Sequence, residues 1–273
     1  MSAAVTLEIK DYIGLITFNR AEAMNTFNGD MLIQLGDAYR QCDGDDSVRV
    51  VVVTGSGAAF CAGADLSDGG NTFDSRERED TSSCPLSMQA WQLRKPVIAA
   101  CNGHAIGVGL GIAAQCDLRI VAREGKYGFL QNRRGVVTDF GMTVLLPKLV
   151  GAERAFELLV RARKLTGDEL SAMGLASRVL PAAEVLPEAM AIAADMAQNC
   201  SPLVMALHKR LLWQNLDCSL DEGIANETAA LNHSMRQPDA LEGGVAFFEK
   251  RAPQWQGEIN DCWPPASEGS DHD

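Results

Sequence analysis

Apolar and polar positions alternate through Val5, Leu7 and Ile9 and again through Gly14, Ile16 and Phe18, a two-residue period that predicts paired strands around a turn at Asp11–Tyr12. The unbroken run Arg49–Thr54 (RVVVVT) predicts a strand covered on both faces. Between them Leu32, Leu35, Tyr39 and Cys42 keep helical spacing, with Asn28 or Asp30 available as N-cap. Pro96–Cys101 (PVIAAC) and Leu118–Ala122 (LRIVA) predict two more strands, separated by a Gly-rich turn and a short apolar helix around Leu110–Gln115. After Phe140 the pattern turns helical: Met142–Val150, Glu153–Arg163, Asp168–Met173 behind a Thr166 cap, Pro187–Asn199, Pro202–Asn215, Leu220–Met235 and Pro238–Lys250. Wide apolar faces among these helices (Leu158, Leu159; Leu203, Met205, Ala206; Phe247, Phe248) suggest a subunit interface.

Two segments fall outside this pattern. Residues 67–83 contain a single large apolar side chain, Phe73, and read as a surface excursion; 257–273 reads as a frayed acidic tail. They also explain the charge. The chain of 273 residues carries 24 Lys+Arg against 36 Asp+Glu, net −12, and most of the excess sits near 65–80 and in the last 17 residues. An acidic balance argues against nucleic acid or an anionic membrane as the main partner. The eight cysteines lack any CxxC pair and mostly lie in apolar runs, as buried thiols of a reducing compartment would, so a cytoplasmic location is expected. No apolar run approaches the about 18 residues of a membrane span, and the N-terminus lacks a signal-peptide pattern.

Two Gly-rich turns follow buried strands: Gly55–Leu66 (GSGAAFCAGADL) and Asn102–Gly111 (NGHAIGVGLG). Glycine lets the backbone adopt positive φ or lie close to a ligand, so each turn can present unshielded N–H groups. Each also reads as an ordinary strand-to-helix turn with no ligand. A dinucleotide fingerprint fails because Ile112 stands where GxGxxG needs its third glycine. GxSxG and GxxxxGK[ST] are absent, which removes the usual hydrolase and P-loop readings. His104 lies near Cys101 but reads as a packed side chain rather than a metal ligand, and no metal site is expected.

The ordered segments Arg20–Phe27 (RAEAMNTF), Phe60–Leu66 (FCAGADL), Asn102–Gly109 (NGHAIGVG), Cys116–Ile120 (CDLRI), Leu165–Val179 and Phe248–Pro253 (FEKRAP) resemble the enoyl-CoA hydratase/isomerase (crotonase) superfamily over about residues 5–256. The resemblance implies an α/β fold, a crotonase spiral of ββα units over 1–195, followed by a helical trimerisation region over 196–256. It further implies a homotrimer or dimer of trimers that binds acyl-CoA thioesters, coenzyme A being part of the substrate and no cofactor permanently held. By motif, the thioester oxygen is held by the backbone N–H groups of Ala64 and Val108, the latter just before a helix start whose dipole adds favourable potential. Charge that develops on that oxygen meets fixed donors, each worth about 3–4 kcal/mol. The resemblance places coenzyme A and acyl contacts at Arg20, Ala23, Ala62, Asp65, Leu66, Gly107, Gly109 and Gln131, with Lys250 or Arg251 of a neighbouring subunit near the phosphates. Asp65 is also expected to cap a following helix.

Where hydratases of the family carry their two glutamates, this chain has Gly111 and Gln131, neither of which exchanges protons at neutral pH. Eight residues on, Asp139 in Gly135–Thr143 matches the position of a catalytic carboxylate in dienoyl-CoA isomerases. Asp139 also reads as the N-cap of a helix beginning at Phe140. Packing by Phe129, Phe140 and Met142 would desolvate it and raise its pKa, as a base near neutrality requires. Moving a double bond needs one base to take a proton from Cα and return it at Cγ, whereas hydration employs two carboxylates. Isomerisation with Asp139 as acid/base is therefore expected, ahead of hydration with a single carboxylate or a catalytically silent acyl-CoA binder. Segment 67–83 is expected to border the acyl tunnel.

Overall fold

A computed structural model of the chain describes residues 3–67 and 86–264. The excursion at 67–83 lies almost wholly outside the described residues, as does the tail from 265. The chain divides into two compact units, 1–194 and 195–273.

In the first unit, β1 (Val5–Lys10) and β2 (Ile13–Phe18) form an antiparallel hairpin whose turn residues Asp11 and Tyr12 have φ of 50° and 66°. Helix α1 (Gly29–Gly44) follows, and the Asn28 side chain caps it by accepting from the Met31 N–H. It buries Met31, Leu35, Ala38, Tyr39 and Cys42. Leu35, Tyr39 and Cys42 are buried as expected, and Met31 rather than Leu32 begins the stripe. The strand expected from RVVVVT is β3 (Val50–Gly55), buried at all six positions, each valine contributing about 1.5–3 kcal/mol of burial.

The chain then steps repeatedly between two sheets. β4 (Ala59–Cys61), β6 (His104–Ile106) and β8 (Tyr127–Gly128) form a small parallel sheet; β5 (Val97–Cys101), β7 (Leu118–Ala122) and β9 (Arg178–Leu180) extend the large one in the order β1-β2-β3-β5-β7-β9. Each return to the large sheet pairs parallel with the previous strand, which is the expected spiral. Helix α2 (Val108–Ala114) bridges β6 and β7.

α3 (Met142–Val150) starts where the apolar period does, but its N-cap is Gly141 in the left-handed region and no side chain caps it. Asp139 is therefore not the cap: Phe140, at φ 56°, and Gly141, at φ 69°, turn the chain once more before the helix begins. The helix expected over 153–163 breaks into α4 (Ala152–Phe156) and a wider turn over Glu157–Arg161, while α5 (Gly167–Ala172) carries the Thr166–Glu169 capping box. α6 (Ala182–Asn199), within which the boundary between the units falls, starts before the expected Pro187 and absorbs that proline.

The second unit holds α7 (Pro202–Gln214), α8 (Leu220–Ser234), α9 (Pro238–Glu249) and α10 (Ile259–Cys262). α10 occupies the start of the segment expected to fray from 257, anchored by buried Ile259. Of the apolar faces noted above, Leu203 and Ala206 are buried, while Phe247 and Phe248 are 79% and 84% exposed. No described helix is long and apolar enough to cross a membrane.

Candidate active site

The first glycine turn is built on an aromatic cluster. Phe18 packs edge-on against Phe27 and Phe60, with ring centroids 4.8 and 5.1 Å apart. This fixes Phe27, whose backbone then grips the turn. The Phe27 N–H donates to the Gly63 carbonyl at 2.8 Å, and the Asp65 N–H donates to the Phe27 carbonyl at 2.8 Å. In such a parallel bridge the residue between, Ala64, directs its own N–H to the opposite side. Buried Asn25 ties the neighbouring loop down: its Nδ2 donates to the carbonyls of Ser56 and Ala59, and its Oδ1 accepts from the Arg20 N–H at 2.9 Å.

The second turn is set by close approach. Gly107 has φ 54° and donates its N–H to the Gly128 carbonyl, so Val108 becomes the first residue of α2, with no preceding turn to accept from its N–H. Among the described residues neither Ala64 nor Val108 donates its N–H to another group. Gly109 was expected to touch substrate. It is instead buried inside the turn, where a Cβ would come within 2.4 Å of the Cys61 carbonyl oxygen, so its role is to let α2 lie against β4.

Ala62, Gly63, Ala64, Leu66, Ile106, Gly107, Val108, Gln131, Arg134, Val136, Val137 and Asp139 enclose a cavity of about 210 Å³. It thus gathers seven of the residues expected at the site, including both backbone donors and Asp139. Gly63, Ile106, Arg134, Val136 and Val137 are additions. Val137, 82% exposed, and its neighbour were detectable only as an apolar pair in a stretch with neither helical nor strand period.

Asp139 is the sole carboxylate on this wall among the described residues. Its residue surface retains contact with solvent, yet the protein packed around the carboxyl raises its pKa above the ordinary value by desolvation; its own N–H and the Gln131 amide oppose the rise. Gln131 Nε2 donates to Asp139 Oδ1 at 3.2 Å. The Gln131 Oε1 is buried and has no partner among the described residues. Gln115 steadies the segment from behind, its Nε2 donating to the Phe140 carbonyl at 3.0 Å. The Phe140 ring covers Gly111, where an added Cβ would lie 3.3 Å from Cδ2.

Arg20, Ala23 and Asp65 stand off the cavity wall. Arg20 forms an ion pair with Asp65 at 2.9 Å and donates to the Thr26 carbonyl, and this pairing holds the Asp65 carboxyl below its usual range. Asp65 Oδ1 accepts from the Ser67 N–H, while any helix it would cap lies outside the described residues. Cys61 sits beside Gly63 but is inert, burial pushing its thiol up to about 12. His104 Nδ1 accepts from the Lys126 N–H, as a packed histidine would. In the second unit Arg251 is engaged by Glu242 at 2.6 Å and Glu249 at 2.7 Å.

The family model for enoyl-CoA hydratase/isomerase matches residues 8–258. A probable enoyl-CoA hydratase of Mycobacterium leprae is 34% identical over 244 residues, covering 89% of this chain and 94% of its own. The crotonyl-CoA hydratase of Syntrophomonas wolfei is 34% identical over 252 residues, 90% and 95% of the two chains. A solved structure of a probable enoyl-CoA hydratase/isomerase from Mycobacterium abscessus superposes with a TM-score of 0.89 at 42% identity, covering 93% of this chain and 98% of that one.

Proposed function

The chain belongs to the enoyl-CoA hydratase/isomerase family, enzymes of acyl-CoA thioesters, and from that premise we propose that it shifts a double bond from the 3 to the 2 position of an enoyl-CoA. The carrying observation is that one raised-pKa carboxylate shares a small cavity with two undonated backbone N–H groups. Asp139 takes a proton from Cα. The electron pair moves through the carbonyl to the thioester oxygen, where the N–H groups of Ala64 and Val108 hold the dienolate. The same carboxyl returns the proton to Cγ, so no second acid is needed.

Hydration is the second reading, favoured by one feature. The unpartnered Gln131 Oε1 beside Asp139 offers an acceptor for a water that the carboxylate would activate. Ala62, Leu66 and Gly107 would line the acyl path, with Arg20, Ala23 and Asp65 shaping its approach. The exposed Phe247 and Phe248 support an interface between subunits; the assembly proposed is a homotrimer or dimer of trimers, and the location the cytoplasm.

Deuterated water separates the readings. With a 3-enoyl-CoA the isomerase exchanges label at Cα and yields the 2-enoyl product. A 3-enoyl-CoA left unlabelled and unconverted, together with 3-hydroxyacyl product from a 2-enoyl-CoA, would turn the assignment to hydration, and binding without exchange or product from either substrate would leave a silent binder.

A further inference from the structure

One cavity residue has no part in the proton transfer. Arg134 lines the cavity with both backbone donors and Asp139, in a wall otherwise made chiefly of small and aliphatic residues. Elsewhere in this unit Arg119, Arg133 and Arg154 donate to backbone carbonyls, while Arg94, Arg123, Arg161, Arg163 and Arg178 each meet a carboxylate. Arg134 meets none among the described residues. Its one hydrogen bond is a 3.5 Å contact from Nη1 to the Leu130 carbonyl. It does not serve Asp139 either: no ion pair joins them, and that carboxyl stands above its ordinary value rather than below it. Arg134 is exposed, so water solvates part of its charge, but it is the one cation among the described residues of a mostly apolar cavity wall and is placed to meet an anion on the occupant.

The anion's position follows from size. A volume of about 210 Å³ corresponds to a chamber about 7 Å across, with the thioester donors on its wall. The pantetheine arm, some four residues' worth of backbone, separates a thioester from the coenzyme A phosphates by roughly 14 Å. A residue lining the same chamber as the donors is thus within reach of the acyl group and short of the phosphates. Resting on the acyl-CoA reading above, we propose that Arg134 receives a carboxylate at the far end of the acyl chain, and that the preferred substrates are thioesters of dicarboxylic acids.

The test uses unreactive saturated thioesters, so that it reads binding apart from turnover. Dissociation constants are measured by calorimetry for the matched pairs succinyl- and butyryl-CoA, glutaryl- and valeryl-CoA, and adipyl- and hexanoyl-CoA. The wild-type protein is expected to favour the carboxylated member of at least one pair by about 10- to 100-fold. Arg134→Met should collapse that ratio towards one, and Arg134→Lys should keep part of it. A purely structural role would weaken both members alike and leave the ratio standing. No preference in the wild type, or one that Arg134→Met does not move, overturns the assignment while the acyl-CoA reading survives. If neither member of any pair binds, the acyl-CoA reading fails and this assignment falls with it.

Discussion

Replacing Asp139 by asparagine separates chemistry from stability, because the two should move in opposite directions. The variant keeps the side-chain shape and an oxygen to accept from Gln131 Nε2, so the cavity wall stays in place. It loses the base, and turnover should fall about 10²-fold or more. The folded state raises the carboxyl's pKa through desolvation, so it binds that proton more tightly than the unfolded chain does. A group of this sign contributes stability below its unfolded pKa, a contribution lost as pH rises through the folded value. At pH 7 the ionised Asp139 is therefore a net cost that the neutral amide of the Asp139→Asn variant would not carry. Because Asp139 keeps contact with solvent, the gain is put at the low end of functional-site replacements, about 0.5–1 kcal/mol. For a unit of this length that is about 1–3 °C in Tm. Thermal denaturation of both proteins at pH 7 and again below about pH 4, where both side chains are neutral, should show a gap that closes on acidification. A variant less stable at pH 7, or one with undiminished turnover, would refute the placement of an ionised, desolvated base at this position.

Three further perturbations follow from the same geometry. Gln131→Leu removes the donor that favours the charged form of Asp139, so the acid limb of the kcat/KM profile should move up by about half to one pH unit; a limb that stays put or moves down would remove the 3.2 Å contact from the mechanism. Gly109→Ala sets a Cβ 2.4 Å from the Cys61 carbonyl oxygen, a backbone atom that cannot step aside, and should cost at least about 2–3 kcal/mol by urea denaturation; a loss under about 1 kcal/mol would show that α2 does not sit against β4 this closely. Asn25→Ala leaves two carbonyls and the Arg20 N–H without their partner, with an expected loss of about 2–4 kcal/mol and reduced substrate affinity; a variant with wild-type Tm would show that the loop needs no such tie.

Five strands, β1, β2, β3, β5 and β7, were legible from an apolar period or run, whereas β4, β6, β8 and β9 are only two or three residues long and show no period, so the spiral itself came from the family resemblance. Boundaries failed where backbone conformation, not periodicity, decides. Phe140 at positive φ breaks the expected link between Asp139 and the helix that follows, and nothing about a phenylalanine announces such a conformation. The glycine turns announced themselves, but the sequence could not tell a glycine that faces the cavity, Gly107, from one that spaces the helix, Gly109; only the atoms they meet do so. Arg134 escaped notice for a different reason. Its meaning lies in its place on the cavity wall, and a string of residues does not show which side chains share a cavity.

Gly111, covered by the Phe140 ring, shows how far this chain has moved from a two-carboxylate arrangement. Hydratases of the family resemble this chain closely enough to suggest that Gly111→Glu would restore their first glutamate, yet the volume is already taken. A Cβ at 111 would rest 3.3–3.6 Å from three atoms of Phe140, and the rest of a glutamate side chain would need the space the ring occupies. The Phe140 backbone is fixed, its carbonyl held by Gln115 and its positive φ part of the turn before α3, so only rotation of the ring itself could free the space. The position is also buried, so a carboxylate there would be desolvated and unpaired. Gly111→Glu alone is therefore expected to cost roughly 2–4 kcal/mol and to yield no hydration of crotonyl-CoA. Gly111→Glu combined with Phe140→Ala clears the volume and should recover part of the lost Tm relative to the single variant. A single variant that folds with wild-type Tm and hydrates crotonyl-CoA would mean that Phe140 does not cover position 111 in solution, and that the chain is one side chain away from a two-carboxylate hydratase.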